Sequence, residues 1–105
     1  MIGRLRTRVG LYGALETPDD LGGVSTSWPL VTGLWASIRQ LSPKQSFENG
    51  RAEIRAIYRV TIRHHKNFPE RARLIWDERI LRVVTASDPD GRRERLHLIC
   101  EEEQQ

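Results

Sequence analysis

The sequence predicts an all-β fold: a small antiparallel β-barrel or sandwich of about six strands, with long loops and at most one short helix. Three observations lead there. Residues 53–65 (EIRAIYRVTIRHH) form the longest run of strict alternation in the chain. Ile54, Ala56, Tyr58, Val60 and Ile62 fall on one face, and Arg55, Ile57, Arg59, Thr61 and Arg63 on the other. Successive strand side chains point to opposite faces, so the run reads as one long half-buried strand; a helix would scatter both sets around its circumference. Second, other short β-prone runs recur at regular spacing with turn formers between them. Third, 38% of the residues are hydrophobic and 30% charged. That balance suits a thin sheet or barrel with much wet surface, or a subunit covered by its neighbours. The length of 105 residues allows one domain, residues 1–105, with one modest core.

The elements follow in order. Residues 5–15 (LRTRVGLYGAL) form a first strand with Val9, Leu11 and Gly13 on one face, its two glycines marking a bend or a bulge. Residues 16–27 (ETPDDLGGVSTS) read as a long loop, because Pro18, Asp19, Asp20, Gly22 and Gly23 are turn formers. Residues 28–40 (WPLVTGLWASIRQ) contain the second strand, whose paired part begins after Pro29. Leu34, Ala36 and Ile38 alternate there with Trp35, Ser37 and Arg39, and either set fits a core against Tyr58, Val60 and Ile62. Trp28, Trp35 and Trp76 all read as core. In residues 41–51 (LSPKQSFENGR), Ser42 and Pro43 open a short helix that Asn49–Gly50 ends, or the segment is an extended disordered excursion. After the central strand, residues 66–71 turn the chain at Pro69. Residues 72–76 (ARLIW) and 80–87 (ILRVVTAS) are strands joined by a tight turn at Asp77–Glu78 or Glu78–Arg79 that lacks the usual glycine. The turn at residues 88–91 (DPDG) leads to the last strand, residues 94–101 (ERLHLICE), with Leu96, Leu98 and Cys100 on one face. The acidic tail is solvated.

Candidate chemistry is sparse. His97 and Cys100 lie three apart on a strand and face opposite ways, as do the adjacent His64 and His65, so no local metal site is expected. No phosphate-binding glycine loop, nucleophile elbow or informative carboxylate pair is present. A small ribonuclease using His64 or His65 with Arg63 rests on composition alone. Cys100 is the single cysteine, so no internal disulfide forms, which fits a reducing compartment. No apolar run approaches a membrane span, and the start (MIGRLRTRV) lacks the apolar core of a signal peptide. The net charge of +3 is carried almost wholly by arginine, since Lys44 and Lys66 are the two lysines. It is too small to require a nucleic-acid partner. Arg55, Arg59 and Arg63 form a stripe with neighbours about 13 Å apart. It is a solvated outer face, a subunit contact or a phosphate-facing row.

The ordered set of segments resembles the head–tail joining proteins of tailed phages and phage-derived particles, also called head-completion or stopper proteins. The basic start leads into RVGLY, followed by PDDLGG, Trp28, LWASIRQLSPKQ, YRVTIRHH, RLIWDERILRVVTAS and LHLICEE. The most specific part is the Trp-Ala-x-Ile segment followed by the Tyr-x-Val-Thr-Ile-Arg strand. The resemblance implies a β-barrel ring subunit without cofactor or catalysis. Such a ring, of six or twelve copies by portal symmetry, sits below the portal and adaptor, closes the DNA-filled head and docks the tail terminator or tail tube. It implies synthesis in a bacterial host cytoplasm and residence in a virion, a prophage product or a gene transfer particle, with no membrane. The excursion at residues 41–52 would face the packaged double-stranded DNA with Lys44, Gln45, Phe47 and Arg51. Arg55, Arg59 and Arg63 are the subunit-interface candidates. The other reading is a small β-barrel nucleic-acid-binding module, which would need exposed aromatics for bases to stack on.

Overall fold

The computed structural model describes residues 5–41, 44–48 and 51–103, without the side chains of residues 44–48 and 51–55. In chain order the strands are β1 (Thr7–Gly13), β2 (Leu15–Pro18), β3 (Val24–Ser27), β4 (Leu30–Gln40), β5 (Lys44–Glu48), β6 (Arg51–Arg55), β7 (Ile57–Arg63), β8 (Ala72–Trp76), β9 (Arg79–Ser87) and β10 (Arg95–Glu102). No described residue is helical. Six strands close a barrel in the order β1-β4-β7-β10-β9-β8, with β8 returning to pair with β1 and every pairing antiparallel. Closure removes the free sheet edges that would otherwise template aggregation. The remaining strands form two separate hairpins, β2–β3 and β5–β6.

The alternation of each barrel strand sets the core. Val9 and Leu11, Ala36, Tyr58, Val60 and Ile62, Ala72 and Leu74, Leu81, and Leu96, Leu98 and Cys100 point inward and are buried. Leu34, Ile38, Ala56, Phe68, Trp76 and Val83 pack against them. Burial pushes the Cys100 thiol up to about 12, so it stays protonated. Tyr58 sits edge-on to Trp76, with ring centroids 5.7 Å apart. Its hydroxyl donates to Glu102 Oε1 at 3.1 Å, and Arg79 Nη1 donates to it at 3.5 Å. Desolvation, followed by the Glu102 carboxylate, holds the phenol above its ordinary value.

The structure corrects four expectations. The central strand is shorter than its pattern: β6 ends at Arg55, β7 begins at Ile57, and the break falls at Ala56. The period of two runs through the break, but the partner changes. Arg55 pairs with Lys44 of β5, whereas Ile57 pairs with Glu101 of β10. Residues 16–27 are not a loop but most of the β2–β3 hairpin, whose turn is confined to residues 19–23. Asp19 Oδ1 accepts the N–H of Leu21 at 2.9 Å and of Gly23 at 2.8 Å, and Gly22 takes φ 82°. The excursion is neither helix nor coil where it is described: Lys44–Glu48 and Arg51–Arg55 pair as a hairpin, and Ser42, Pro43, Asn49 and Gly50 lie outside the described residues. Finally, Trp35 points out of the barrel and is 53% exposed, while Ala36 takes the buried place beside it. Trp28 is half-buried and Trp76 packs on the core. Of the two possible inward sets, Leu34, Ala36 and Ile38 is the one used.

Two turns show how the ladder is held. At the DPDG turn, Asp88 accepts backbone N–H groups of Arg93 at 2.8 Å, Gly91 at 3.0 Å and Asp90 at 3.3 Å. The bond from Arg93, the largest cause, holds its carboxyl below the ordinary value. Between β8 and β9 the whole turn is Asp77 and Glu78, with Trp76 paired to Arg79. Both residues take positive φ, 49° and 69°, as the mirror-image hairpin turn requires. Aspartate tolerates that region, but glutamate does so at a cost. Glu78→Gly is therefore expected to stabilise the fold by roughly 0.5–1 kcal/mol, the left-handed penalty less the extra unfolded-state freedom of glycine. A raised urea midpoint at constant slope checks this; a lowered midpoint would show that the Glu78 side chain holds the turn.

Candidate assembly surfaces

Two arms and one wall of the barrel carry the candidate functional groups. The β2–β3 arm joins the end of β1 to the start of β4, and the β5–β6 arm joins the end of β4 to the start of β7. Strand β4 runs the length of the barrel, so the arms leave from opposite ends. The overall extents, 52 × 35 × 26 Å, reflect that elongation.

The β2–β3 arm is tied down at its root. Gly13 N donates to Pro29 O at 3.2 Å, and Ala14 N to Arg71 O at 3.0 Å. Arg71 pairs with Glu16 at 2.6 Å, and the guanidinium of Arg73 lies 4.0 Å from the centre of the Trp28 ring. The arm exposes Leu15 at its root, and Leu21 and Val24 farther out. These three exposed apolar residues lie several positions apart and form no periodic pattern in the sequence.

The β5–β6 arm gathers the residues expected at a channel. Lys44, Gln45 and Phe47 lie on β5 and Arg51 on β6, with Glu48 opposite Arg51 and Arg55 opposite Lys44. Their side chains lie outside the described residues. At the root, Leu41 N donates to Ile57 O at 2.8 Å, which brings the two barrel strands together beneath the arm.

The arginine stripe is divided. Arg55 belongs to the arm, while Arg59 and Arg63 are exposed on the outer side of β7. The structure adds two arginines that the sequence reading did not single out. Arg39 of β4 lies directly opposite Arg59, and Arg8 of β1 is opposite Trp35, its guanidinium 5.2 Å from the ring centre. Strands β1, β4 and β7 together contain Arg8, Arg39, Arg59 and Arg63 and no carboxylate. Like charges directly across a ladder are destabilising. Among the described residues, none of the four has a carboxylate within ion-pair distance. Arg39 could have been found from its outward register with Trp35, but its place beside Arg59 depends on a strand pairing that the sequence does not display.

Catalytic or metal chemistry finds no assembled group among the described residues. Cys100 faces the core while His97 lies between Thr61 and Ser87 on its neighbours. Among the described residues, His65 Nδ1 is buried and has no hydrogen-bond partner. Among the described residues no three His, Cys, Asp or Glu side chains converge on a possible metal position.

No curated protein matches the chain in sequence. Its fold is similar to that of a chain in the virion of a native gene transfer agent particle, with a TM-score of 0.78, 20% identity and 96% of each chain covered. It is also similar to the solution structure of protein SF1141 from Shigella flexneri 2a, with a TM-score of 0.73, 26% identity, and 99% of this chain and 97% of that one covered. The phage head completion protein family matches residues 1–103, nearly the whole length. The chain therefore belongs to the phage head completion proteins, structural components of the virion rather than enzymes.

Proposed function

We propose that copies of this single-domain barrel form a ring at the head–tail interface, which closes the DNA-filled head and offers the surface on which the tail docks. The observation that carries this reading is the pair of hairpin arms leaving opposite ends of a closed barrel. A self-sufficient barrel needs neither arm for its core, and an arm with exposed Leu15, Leu21 and Val24 gains from a neighbour that covers it. In this reading the β5–β6 arm lines the channel, with Lys44, Gln45, Phe47 and Arg51 toward the packaged DNA. Portal or adaptor proteins lie on one side of the ring and tail proteins on the other. Six or twelve copies match portal symmetry. A sequence-independent collar suits the task, since phosphate contacts position DNA without reading it. The isolated chain is a monomer or weak oligomer, and the ring forms on its partners, where repeated weak contacts add up.

The test is reconstitution. Heads assembled without this protein are expected to fill with DNA, leak it and lack tails. Adding the purified chain should restore DNA retention and tail joining together. Restoration of neither would overturn the reading.

A further inference from the structure

The acidic arm and the basic wall of the barrel are complementary. Residues 15–27 contain Glu16, Asp19 and Asp20 and no lysine or arginine. Glu16 is paired with Arg71 at the root. Asp19 accepts the turn N–H groups through Oδ1, and Asp20 is exposed. At the tip, Leu21 is 95% exposed. The wall presents Trp35, itself 53% exposed, among Arg8, Arg39, Arg59 and Arg63. The two surfaces are made of different residues. The arm is fastened toward β8 through Arg71, whereas the wall runs from Arg8 on β1 across β4 to β7.

We propose that the wall around Trp35 is the seat for the β2–β3 arm of a second copy of this chain. This rests on the ring reading and names its subunit contact. Two different surfaces of one chain that fit each other make a head-to-tail contact, and such a contact closes into a ring when its rotation permits. The apolar tip covers Trp35, and the carboxylates relieve the unneutralised Arg39–Arg59 pair. Tryptophan and arginine are the residue types that most often dominate such contacts. Nucleic acid would neutralise the wall too, but would leave Leu21 uncovered; a second copy covers both.

The test is disulfide trapping between two full-length variants, Leu21→Cys and Ser37→Cys. Ser37 lies on the outer face between Trp35 and Arg39, and buried Cys100 stays silent. Mixed under oxidant at low salt, this pair should cross-link faster than Leu21→Cys with Val84→Cys, a control on β9, by on the order of tenfold or more. The advantage should shrink as salt is added. Arg39→Glu with Arg59→Glu on the wall chain should abolish it, and Asp20→Arg on the arm chain should partly restore it. Equal rates for the two pairs would overturn the proposal. So would equal rates combined with duplex DNA protecting only the Ser37→Cys variant from alkylation, which would make the wall a nucleic-acid surface. Equal rates in a protein that still forms rings on particles would remove this contact and leave the ring reading standing. A single copy per particle would remove both.

Discussion

Particles carrying a chain whose residues 42–55 are replaced by Asn-Gly are expected to contain a folded barrel and to lose their DNA. The barrel survives because, among the described residues, β5 and β6 ladder with each other and with no barrel strand. Leu41 and Ile57 already face each other through a 2.8 Å hydrogen bond, so Asn-Gly followed by the native Ala56 gives a three-residue hairpin loop. Retaining Ala56 keeps its packing on the core and its carbonyl bond to Glu102 N at 3.0 Å. What disappears is the proposed collar. On the removed arm Lys44, Arg51 and Arg55 stand against Glu48 and Glu53, a net charge of +1 per copy. In the proposed ring each copy would contribute weakly and the effect would come from repetition, so the yield of filled, tailed particles should fall by about tenfold or more. Circular dichroism and thermal melting serve as the folding control. Normal DNA retention and tail joining by a folded deletion variant would remove the arm from the channel.

Leu98→Ala is expected to have the largest effect on folding. Leu98 is fully buried on β10, between Val60 of β7 and Ala86 of β9. A leucine truncated in a packed interior loses transfer free energy and leaves a cavity, about 2–5 kcal/mol in total. Against a whole-domain stability of about 5–15 kcal/mol, that lowers the melting temperature by on the order of 10 °C or more. The contrast is Trp35→Ala. It removes a larger side chain, but one facing solvent and an arginine, so its melting temperature should be nearly unchanged. A large loss for Trp35→Ala with little for Leu98→Ala would invert the assigned faces.

The barrel was legible in the sequence because its strands bury one face each. Val9 with Leu11, Tyr58 with Val60 and Ile62, and Leu96 with Leu98 and Cys100 alternate as a half-buried ladder must. The two arms were hidden for different reasons. Strands β2 and β3 are exposed along their whole length, so burial imposes no period on them, and their turn residues made the segment resemble a loop. On the β5–β6 arm the alternation instead ran on into β7, and a change of pairing partner at Ala56 leaves no mark in a pattern of period two. The arginines divide along the same line. Arg59 and Arg63 could be read from one strand's alternation. Arg39 joins them only through the β4–β7 pairing, which joins strands separated in the chain by the β5–β6 arm.

The most direct measurement is an image of the head–tail junction in particles restored with the purified chain, at a resolution that traces strands. The expected image is a closed ring of these barrels at the junction, with the β5–β6 arms in the lumen around the DNA and each β2–β3 arm on the Trp35 wall of the next copy. Barrels found elsewhere on the particle, or a ring with its β5–β6 arms turned away from the lumen, would contradict it.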